Sequence, residues 1–292
     1  MKRDIWFDDR RRSLSPMYWS LFFGSRVIAE LPRPIGVEVG KQFLLNPRSR
    51  RDYKFTVQEP SRSVAVPTEV GNVVLHHFAG EGPTLLLVHG WGDTSYRFSA
   101  MIKELCGLGY NVYAFDQIGH GKSEGDVSHL FGFIKGLEAV MTHIEQQDSI
   151  HGVVAHSMGT LSLLNLSSEM LQGRRVVLVA PPIEYFGDMF VKIRQAGVSK
   201  KMLMHILEHY SRRHGIPWQN LEPVHHRAKL HSGIFVVHDQ QDRICPYMNS
   251  RQFFASTPVT FHSTDGLGHH RVLRDRDVFA MIVKHMGVVV KP

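Results

Sequence analysis

Short apolar runs alternate with helical patterns between residues 84 and 180, and this alternation constrains the fold more than any other feature. The runs lie at 84–89, 111–115, 152–156 and 175–180, and apolar residues at helical spacing lie between them at 97–108, 127–147 and 158–171. Continuous apolar runs of this length are typical of strands buried on both faces. The chain is therefore predicted to be an α/β protein with a mostly parallel central sheet and helices on both faces.

The alternation stops at residue 184 and resumes after residue 226. The intervening segment has helical patterning, no strand-like run and a basic side. Strand-like runs at 70–78, 233–238 and 259–263, and a helical pattern at 278–285, complete the core. We therefore expect residues 56–183 and 227–292 to form the core, with residues 184–226 inserted as a small helical cap.

Residues 1–55 are predicted to form a basic N-terminal arm. Residues 1–52 carry 11 Lys and Arg against 6 Asp and Glu, so most of the net charge of +7 lies there. The apolar stretch 17–31 is broken by Gly24, Arg26 and Glu30, which favours an amphipathic helix over a membrane span or signal peptide. The arm is either a solvated segment docked on the protein or a peripheral membrane contact. No nucleic-acid-binding module is present, so no nucleic-acid partner is expected.

The cysteines and histidines predict neither a disulfide framework nor a metal site. Cys106 and Cys245 stand in no Cys-x-x-Cys spacing, which suits a reducing cytoplasm. The histidine pairs at 76–77, 225–226 and 269–270 lack metal-ligand spacing on a helix and have no cysteine beside them. We therefore expect no metal and no cofactor.

Ser157 is the candidate nucleophile. It directly follows the strand-like run 152–156 and opens the helical pattern 158–171, in the sequence Val-Val-Ala-His-Ser-Met-Gly. A serine at a sharp strand-to-helix turn is exposed at the edge of the sheet, and small residues are needed two positions to either side of it. Gly159 meets this need, whereas Ala155 stands where glycine is usual. The alternative is a serine that only caps the helix.

The glycine-rich loop 89–93 is the candidate oxyanion loop. It follows the first central strand and reads His-Gly-Trp-Gly-Asp. Backbone N–H groups of Trp91 and Met158 can together stabilise a developing oxyanion near Ser157. The alternative for the loop is a plain tight turn.

These motifs resemble the α/β-hydrolase superfamily. The resemblance rests on His89-Gly90, on Phe-Asp-Gln-Ile-Gly-His-Gly-Lys-Ser at 115–123 and on His-Ser-Met-Gly at 156–159, in that order. The segment 266–274, with Pro246 and Pro217-Trp218, resembles bacterial esterase-like members with a small helical cap. The likeness covers about residues 70–290 and implies an α/β-hydrolase fold. It also implies a nucleophile, an acid and a histidine in that order along the chain.

The resemblance implies that His269 is the base and Asp242 the acid. His269 stands in a Gly-His pair after the last strand, and its neighbour His270 is the alternative. Asp242 lies four residues past the strand end and four before Pro246, as the family pattern requires. Asp239 is expected to form the turn instead, and Glu184 is a further alternative acid.

The function expected from this set is that of a carboxylesterase acting on small to medium acyl esters through an acyl-enzyme. Other activities of the fold stay open: thioesterase, acyltransferase, lyase, cofactor-free haloperoxidase or non-catalytic ligand binding. The segment 116–123 is expected to shape the site. Apolar residues of the cap either line the site or hold the cap together: Tyr185, Phe186, Met189, Phe190, Met202, Met204 and Ile206.

Overall fold

The structure, a computed structural model, describes residues 15–47 and 53–287, which form two compact units. One unit joins the N-terminal segment up to Asn46 with Glu184–His225. The other contains Pro47–Ile183 and the chain from His226 onward. Both units are therefore built from segments that are far apart in the sequence.

The larger unit contains one sheet of eight strands within the described residues. Its order is β1-β2-β4-β3-β5-β6-β7-β8; β2 pairs antiparallel with β1 and β4, and the pairs from β4 through β8 are parallel. This sheet confirms the predicted mostly parallel architecture. The strands are β1 (Arg62–Thr68), β2 (Gly71–Phe78), β3 (Thr84–Val88), β4 (Asn111–Asp116), β5 (Ile150–His156), β6 (Arg175–Val179), β7 (Ile234–Asp239) and β8 (Thr260–Thr264).

The α-helices of the described residues, in chain order, are α1 (Pro16–Glu30), α2 (Arg33–Leu44), α3 (Ser99–Gly107), α4 (Leu130–Glu145), α5 (Met158–Leu164), α6 (Ser168–Leu171), α7 (Tyr185–Gln195), α8 (Lys200–His214), α9 (Tyr247–Phe254), α10 (Gly268–Arg271) and α11 (Arg276–Met286). Short 3-10 helices lie at Ser95–Phe98, Trp218–Leu221, Pro223–Lys229 and Val272–Arg274. None of the described helices is long and apolar enough to cross a membrane.

Helices cover both faces of the sheet because successive side chains of a strand point to opposite faces. Leu85 and Leu87 of β3 share a buried cluster with Ile102 of α3 and Ile282 of α11. Helix α4 has its own buried apolar stripe, and its Gly136 lies close to Phe115 of β4. The central strands are buried throughout, which explains their continuous apolar runs.

Three elements differ from the sequence-based expectation. Strand β1 was not predicted, because Pro67 interrupts its pattern; a proline is tolerated here since β1 is an edge strand. The predicted helix 158–171 is two helices, α5 and α6, and the Ser167 side chain caps α6 by accepting from the Met170 N–H. Helix α2 lies in the predicted arm but was not predicted as a helix.

In the smaller unit, α1 and α2 are held against the 185–214 region. The Ser199 N–H donates to Ser25 Oγ at 2.9 Å, and Arg26 donates to the Gly197 carbonyl at 3.1 Å. Gly40 of α2 approaches Met202 and Ile206 of α8, so a side chain at Gly40 would contact both. The segments predicted as an arm and a cap thus share one unit, whereas Tyr53 and Phe55 belong to the core unit.

Candidate active site

Ser157 lies between β5 and α5 with a backbone conformation that few non-glycine residues adopt. Its φ is 51° and its ψ is −127°, and its N–H donates to the Val179 carbonyl at 2.9 Å. Such a conformation costs about 1–3 kcal/mol and is found mainly where surrounding structure enforces it, often at active sites. The predicted strand-to-helix turn at Ser157 is therefore present.

Two glycines allow the backbone to close around Ser157. A Cβ on Gly90 would lie 2.7 Å from Ser157 Cβ and 3.2 Å from Ser157 Oγ. A Cβ on Gly159 would lie 2.7 Å from the carbonyl oxygens of Val88 and His89. The loop 89–93 therefore passes directly beside the serine side chain. Ala155, where glycine is usual, is completely buried in β5 between Val88 and Leu178 of the neighbouring strands.

Two buried histidines hold the loop 89–93 in place. The Gln117 N–H donates to His89 Nε2 at 2.9 Å, so the proton of His89 lies on Nδ1 and is donated to the Gly90 carbonyl at 2.7 Å. The Gly92 N–H donates to His120 Nε2 at 3.0 Å, and His120 Nδ1 donates to the Ile118 carbonyl at 2.9 Å. Each ring thus accepts one hydrogen bond from a backbone N–H and donates one to a backbone carbonyl.

Burial keeps these two rings neutral. It lowers the pKa of His89 below its ordinary value, and burial together with the nearby His89 lowers the pKa of His120 well below it. Sequence reasoning did not assign either ring this role. The sequence did contain a signal for this role. His89 stands before a glycine directly after β3, and His120 stands beside glycines in the turn after β4.

Asp242 and His269 are in direct contact. His269 Nδ1 lies 2.7 Å from Asp242 Oδ2, and both side chains are buried. Asp242 Oδ1 accepts from the backbone N–H groups of Ile244 and Cys245 at 2.8 and 2.9 Å. The structure therefore brings together the two residues predicted as acid and base, 27 residues apart in the chain.

A second histidine that the sequence analysis missed also contacts Asp242. His238 Nε2 lies 3.2 Å from Asp242 Oδ2 and 3.2 Å from the Cys245 carbonyl. Both neighbours are acceptors, so Nε2 carries the proton and donates to them. His238 is fully buried at the end of β7. Its position four residues before Asp242, at the strand end, was the only signal in the sequence.

The ionisation of Asp242 follows from these contacts. Burial alone would raise the pKa of this carboxyl, but hydrogen bonds from His238 and His269 and from the Cys245 N–H lower it well below its ordinary value. Asp242 is therefore a carboxylate at neutral pH, able to stabilise a positive charge on His269.

The alternative acids and base lie in other environments. Asp239 accepts hydrogen bonds from Thr264 Oγ1 at 2.7 Å and from the N–H groups of Leu267 and Gln241, so it ties the turn after β7 to the segment between β8 and α10. Glu184 precedes α7 in the smaller unit, with a left-handed φ of 58°. Burial and the neighbouring His269 lower the pKa of His270 to about 4.

His156 ties the end of β5 to the segment that carries His269. Its Nε2 donates to the His269 carbonyl at 2.9 Å, and the centroids of the two rings are 4.7 Å apart. The residue that precedes Ser157 is thus in contact with His269. Burial and the nearby His269 lower the pKa of His156 well below its ordinary value.

Asp116 organises the backbone on the other side of the loop 89–93. Its Oδ1 accepts from the N–H and Oγ of Ser95 at 2.8 Å each, and its Oδ2 accepts from Tyr53 Oη at 2.5 Å and the Lys122 N–H at 2.8 Å. A Cβ on Gly121 would collide with this carboxylate. The segment 116–123 therefore has the shape-determining contacts that the sequence analysis expected.

Two groups of side chains among the described residues have the proximity that a metal ion would need. Ring nitrogens of His156, His269 and His270 lie within 4.8 Å of one another, and so do ligand atoms of Asp242, Cys245 and His269. Both groups include His269, whose Nδ1 is bonded to Asp242. The bond between His269 and Asp242 brings together two members of the second group, and the bond from His156 to the His269 carbonyl brings together two members of the first.

The chemical capacity of the site follows from where these residues lie on the sheet. Ser157 follows β5, Asp242 follows β7 and His269 follows β8, all at the carboxyl ends of parallel strands. Ligands of such sheets bind at this edge. A serine on a strained turn, a buried carboxylate–imidazole pair and a close glycine loop together have the components of nucleophilic acyl transfer.

A family model supports this assignment. The family described as "Serine aminopeptidase, S33" (Hydrolase_4) matches residues 82–223, a little under half of the chain. The matched stretch contains the loop 89–93, the segment 116–123 and Ser157.

Two proteins of known name share part of this sequence. The putative hydrolase LipZ of Mycobacterium tuberculosis is 32% identical over 112 residues, covering 37% of this chain and 38% of LipZ. Human monoglyceride lipase is 27% identical over 103 residues, covering 33% of this chain and 34% of the lipase. The chain thus spans well under two thirds of the length of either relative.

Solved structures share the fold over most of the chain. The Pyrococcus furiosus esterase Pf2001 superposes with a TM-score of 0.63 at 19% identity, covering 83% of this chain and 97% of the esterase. The esterase Est1E of Butyrivibrio proteoclasticus, solved with ferulic acid, superposes with a TM-score of 0.56 at 15% identity, covering 77% of this chain and 100% of that one. At these identities the likeness establishes the fold alone.

Proposed function

We propose that this chain, which shares its fold with solved esterases, is a serine hydrolase, a carboxylesterase that acts on small to medium acyl esters. One observation carries the proposal: the Asp242–His269 pair at 2.7 Å lies at the same sheet edge as Ser157 on its strained turn. Names of relatives such as LipZ and monoglyceride lipase are consistent with ester substrates.

In the proposed mechanism Ser157 Oγ attacks the ester carbonyl carbon while His269 Nε2 accepts the serine proton. Asp242 accepts the hydrogen bond from His269 Nδ1, which leaves Nε2 unprotonated and oriented as the base. The same carboxylate stabilises the imidazolium that forms. His269 then donates this proton to the leaving alcohol, and an acyl-enzyme remains on Ser157.

Backbone N–H groups of Trp91 and Met158 are proposed to bind the oxyanion of the tetrahedral intermediate. Support comes from the contact of Gly90 with the Ser157 side chain, which brings the loop 89–93 to the reacting atom. The buried rings of His89 and His120 hold this loop, so its N–H groups are positioned before substrate arrives. Water then attacks the acyl-enzyme, with His269 again as the base.

The proposed range of small to medium acyl esters rests on the apolar composition of the 184–225 segment. Phe186, Met202 and Ile206 are at most 3% exposed. Tyr185, Met189, Phe190 and Met204 are only partly buried. Cys106 and Cys245 form no disulfide among the described residues, which is compatible with the proposed cytoplasmic location.

The proposal is tested by covalent labelling and turnover of the purified chain. A fluorophosphonate probe should label Ser157, and p-nitrophenyl esters of increasing chain length should be hydrolysed. Ser157→Ala should abolish labelling and lower kcat by about a thousandfold or more, because removal of the nucleophile prevents formation of the acyl-enzyme.

The matched control is Ser162→Ala, five residues further along α5. The hydroxyl of Ser162 donates only to the Gly159 carbonyl, so this variant should keep labelling and turnover. Ester hydrolysis that survives in folded Ser157→Ala protein would exclude the mechanism.

Other activities of the fold use the same residues and are separated by their products. Thioesters, acyl acceptors other than water, and hydrogen peroxide with halide test the thioesterase, acyltransferase and haloperoxidase alternatives. Aminoacyl p-nitroanilides test the aminopeptidase activity named in the matching family. A faster reaction with any of these than with every ester would replace the carboxylesterase assignment while retaining Ser157 as nucleophile.

A further inference from the structure

Helix α1 presents a row of large apolar side chains to solvent. Trp19, Phe23 and Val27 are 43%, 61% and 64% exposed. They are four residues apart, so each is displaced by about 40° from the last and the three lie on one side of the helix. The rings of Trp19 and Phe23 stack with centroids 5.8 Å apart. We call these three residues the apolar row.

The orientation of α1 is set by its opposite side. Ser25 and Ala29 are buried, and Ser25 Oγ accepts from the Ser199 N–H at 2.9 Å. Arg26 donates to the Gly197 carbonyl at 3.1 Å. The buried residues of α1 therefore lie on the other face of the helix, and the apolar row is uncovered in the described structure.

Helix α2 repeats this arrangement. Ile35 and Val39, again four residues apart, are 54% and 41% exposed. Gly36, Val37, Gly40 and Leu44 form the buried side of the same helix. Two consecutive helices thus each expose large apolar residues on one side. An exposed apolar patch can mark a site of interaction with a membrane or a partner.

The charge around these helices favours an anionic surface. Glu30 and Glu38, the acidic residues of α1 and α2, are each paired with a lysine, at 2.7 Å from Lys201 and 2.6 Å from Lys41. Upstream, the sequence has three consecutive arginines at 10–12, and residues 1–52 carry 11 basic against 6 acidic residues. Basic segments next to apolar helices are attracted to anionic lipid headgroups.

We propose that α1 and α2 bind the surface of an anionic lipid bilayer, with the apolar row inserted at the headgroup boundary. A tryptophan beside phenylalanines suits this boundary, because the indole ring has an apolar body and an N–H donor. Binding is peripheral, since α1 has 15 residues and neither helix is long enough to span a membrane. The inference does not depend on the proposed hydrolase activity.

The test is co-sedimentation of the full chain with vesicles of phosphatidylcholine alone and of phosphatidylcholine with phosphatidylglycerol. The wild-type chain should bind the anionic vesicles more tightly than the neutral ones. The triple variant Trp19→Ser, Phe23→Ser, Val27→Ser should bind anionic vesicles about tenfold more weakly or worse, because it loses the apolar area that enters the bilayer.

The matched control replaces three exposed apolar residues that form no row. Val57, Val224 and Met248 are 49%, 60% and 53% exposed, and their replacement by serine should leave vesicle binding unchanged. A charge variant, Arg10→Gln with Arg11→Gln and Arg12→Gln, should weaken binding to anionic vesicles and reduce its salt dependence. Circular dichroism and thermal melting establish that each variant is folded.

Four outcomes would overturn the proposal. The first is no vesicle binding by the wild-type chain, and the second is equal binding by the row variant and the wild type. The third is that sedimentation velocity shows a dimer for the wild-type chain and a monomer for the row variant, while neither binds vesicles. The apolar row would then join two copies of the chain. Equal affinity for neutral and anionic vesicles would remove the anionic bilayer as the occupant.

Discussion

Two histidine rings share one carboxylate oxygen at the candidate site. Asp242 Oδ2 receives His269 Nδ1 at 2.7 Å and His238 Nε2 at 3.2 Å. His269 is the residue proposed to exchange a proton with Ser157, whereas His238 Nε2 also lies 3.2 Å from the Cys245 carbonyl. We therefore regard His238 as a positioning residue that holds the carboxylate in place and keeps it ionised.

Replacing His238 tests this role. His238→Phe removes the N–H donor, so the pKa of Asp242 should rise towards its ordinary value. The acid limb of the pH–rate profile should then move to higher pH, and kcat should fall about tenfold or more, since a hydrogen bond to a charged group is worth about 1.5–3 kcal/mol.

His238→Gln is the matched control because its amide can donate from nearly the same position as Nε2. It should restore most of kcat and return the acid limb towards the wild-type pH. If the two variants share the wild-type profile and differ only in thermal stability, His238 has a structural role alone.

Asp242 should also make the free energy of unfolding depend on pH. Its pKa in the folded chain is lowered, so its contribution is complete above the ordinary carboxyl pKa near 4 and is lost as the pH falls further. Denaturant unfolding of Asp242→Asn should therefore show a smaller loss of stability than wild type between about pH 5 and pH 3.

The exposed Asp265 provides the control for this measurement. Its carboxylate accepts a hydrogen bond from Gln241 at 3.0 Å, and Asp265→Asn should retain the wild-type pH dependence. An unchanged slope in Asp242→Asn would mean that other groups account for the acid sensitivity.

The residues at the site differ in how far the sequence could predict them. Ser157 and His269 stand in motifs whose order along the chain is informative, and Asp242 follows from its distance to a strand end. His89, His120 and His238 are buried donors or acceptors, and this role depends on which backbone groups lie within 3.2 Å. Tertiary contacts determine which backbone groups lie near each ring, and the local sequence does not encode these contacts.

At the scale of elements, the junction of β3 and α5 limits what position 159 can hold. A Cβ at Gly159 would lie 2.7 Å from two backbone carbonyl oxygens of the β3 end, which have no freedom to move aside. Gly159→Ala should therefore destabilise the chain by about 1–3 kcal/mol and lower ester turnover, because α5 must shift together with Ser157.

Gly187→Ala is the matched control, early in α7. Only Glu184 Cβ lies near the added carbon, at 3.9 Å, so the variant should be more stable by about 0.5–1 kcal/mol. Chemical denaturation measures both variants. A Gly159→Ala chain as stable and active as wild type would show that the close approach is not enforced in solution.

Element prediction succeeded where burial and period agree. Strands β3 through β7 are buried on both faces, so their continuous apolar runs predict them as strands. The edge strand β1 has only one residue buried and contains Pro67, so its period-2 signal is weak. Helix α2 contains two glycines that pack against other helices, which lowers its apparent helix propensity.

At the scale of the whole molecule, the smaller unit depends on contacts between its N-terminal segment and its second segment, Glu184–His225. Met202 and Ile206 of α8 are each 1% exposed and lie against Gly40 of α2. Deleting residues 1–46 should uncover both side chains. Hydrogen exchange of the α8 amides should then accelerate, while the amides of β5 and β6 keep their protection.

Deletion of residues 1–14 alone serves as the control, since it leaves α1 and α2 intact. Equal protection of α8 in both truncated chains would show that the N-terminal helices do not support it. Sequence reasoning placed these segments in separate domains because it reads local pattern. A contact between residues more than a hundred positions apart leaves no trace in composition or period.

The same separation has a consequence during synthesis. Arg26 and Gly197, which are bonded in the finished chain, are 171 residues apart, so α1 emerges from the ribosome long before its partner exists. Throughout that interval Ser25 and Ala29 are uncovered together with Trp19, Phe23 and Val27. Both sides of α1 are therefore open to solvent, or to another binding surface, until the 185–214 region has been made.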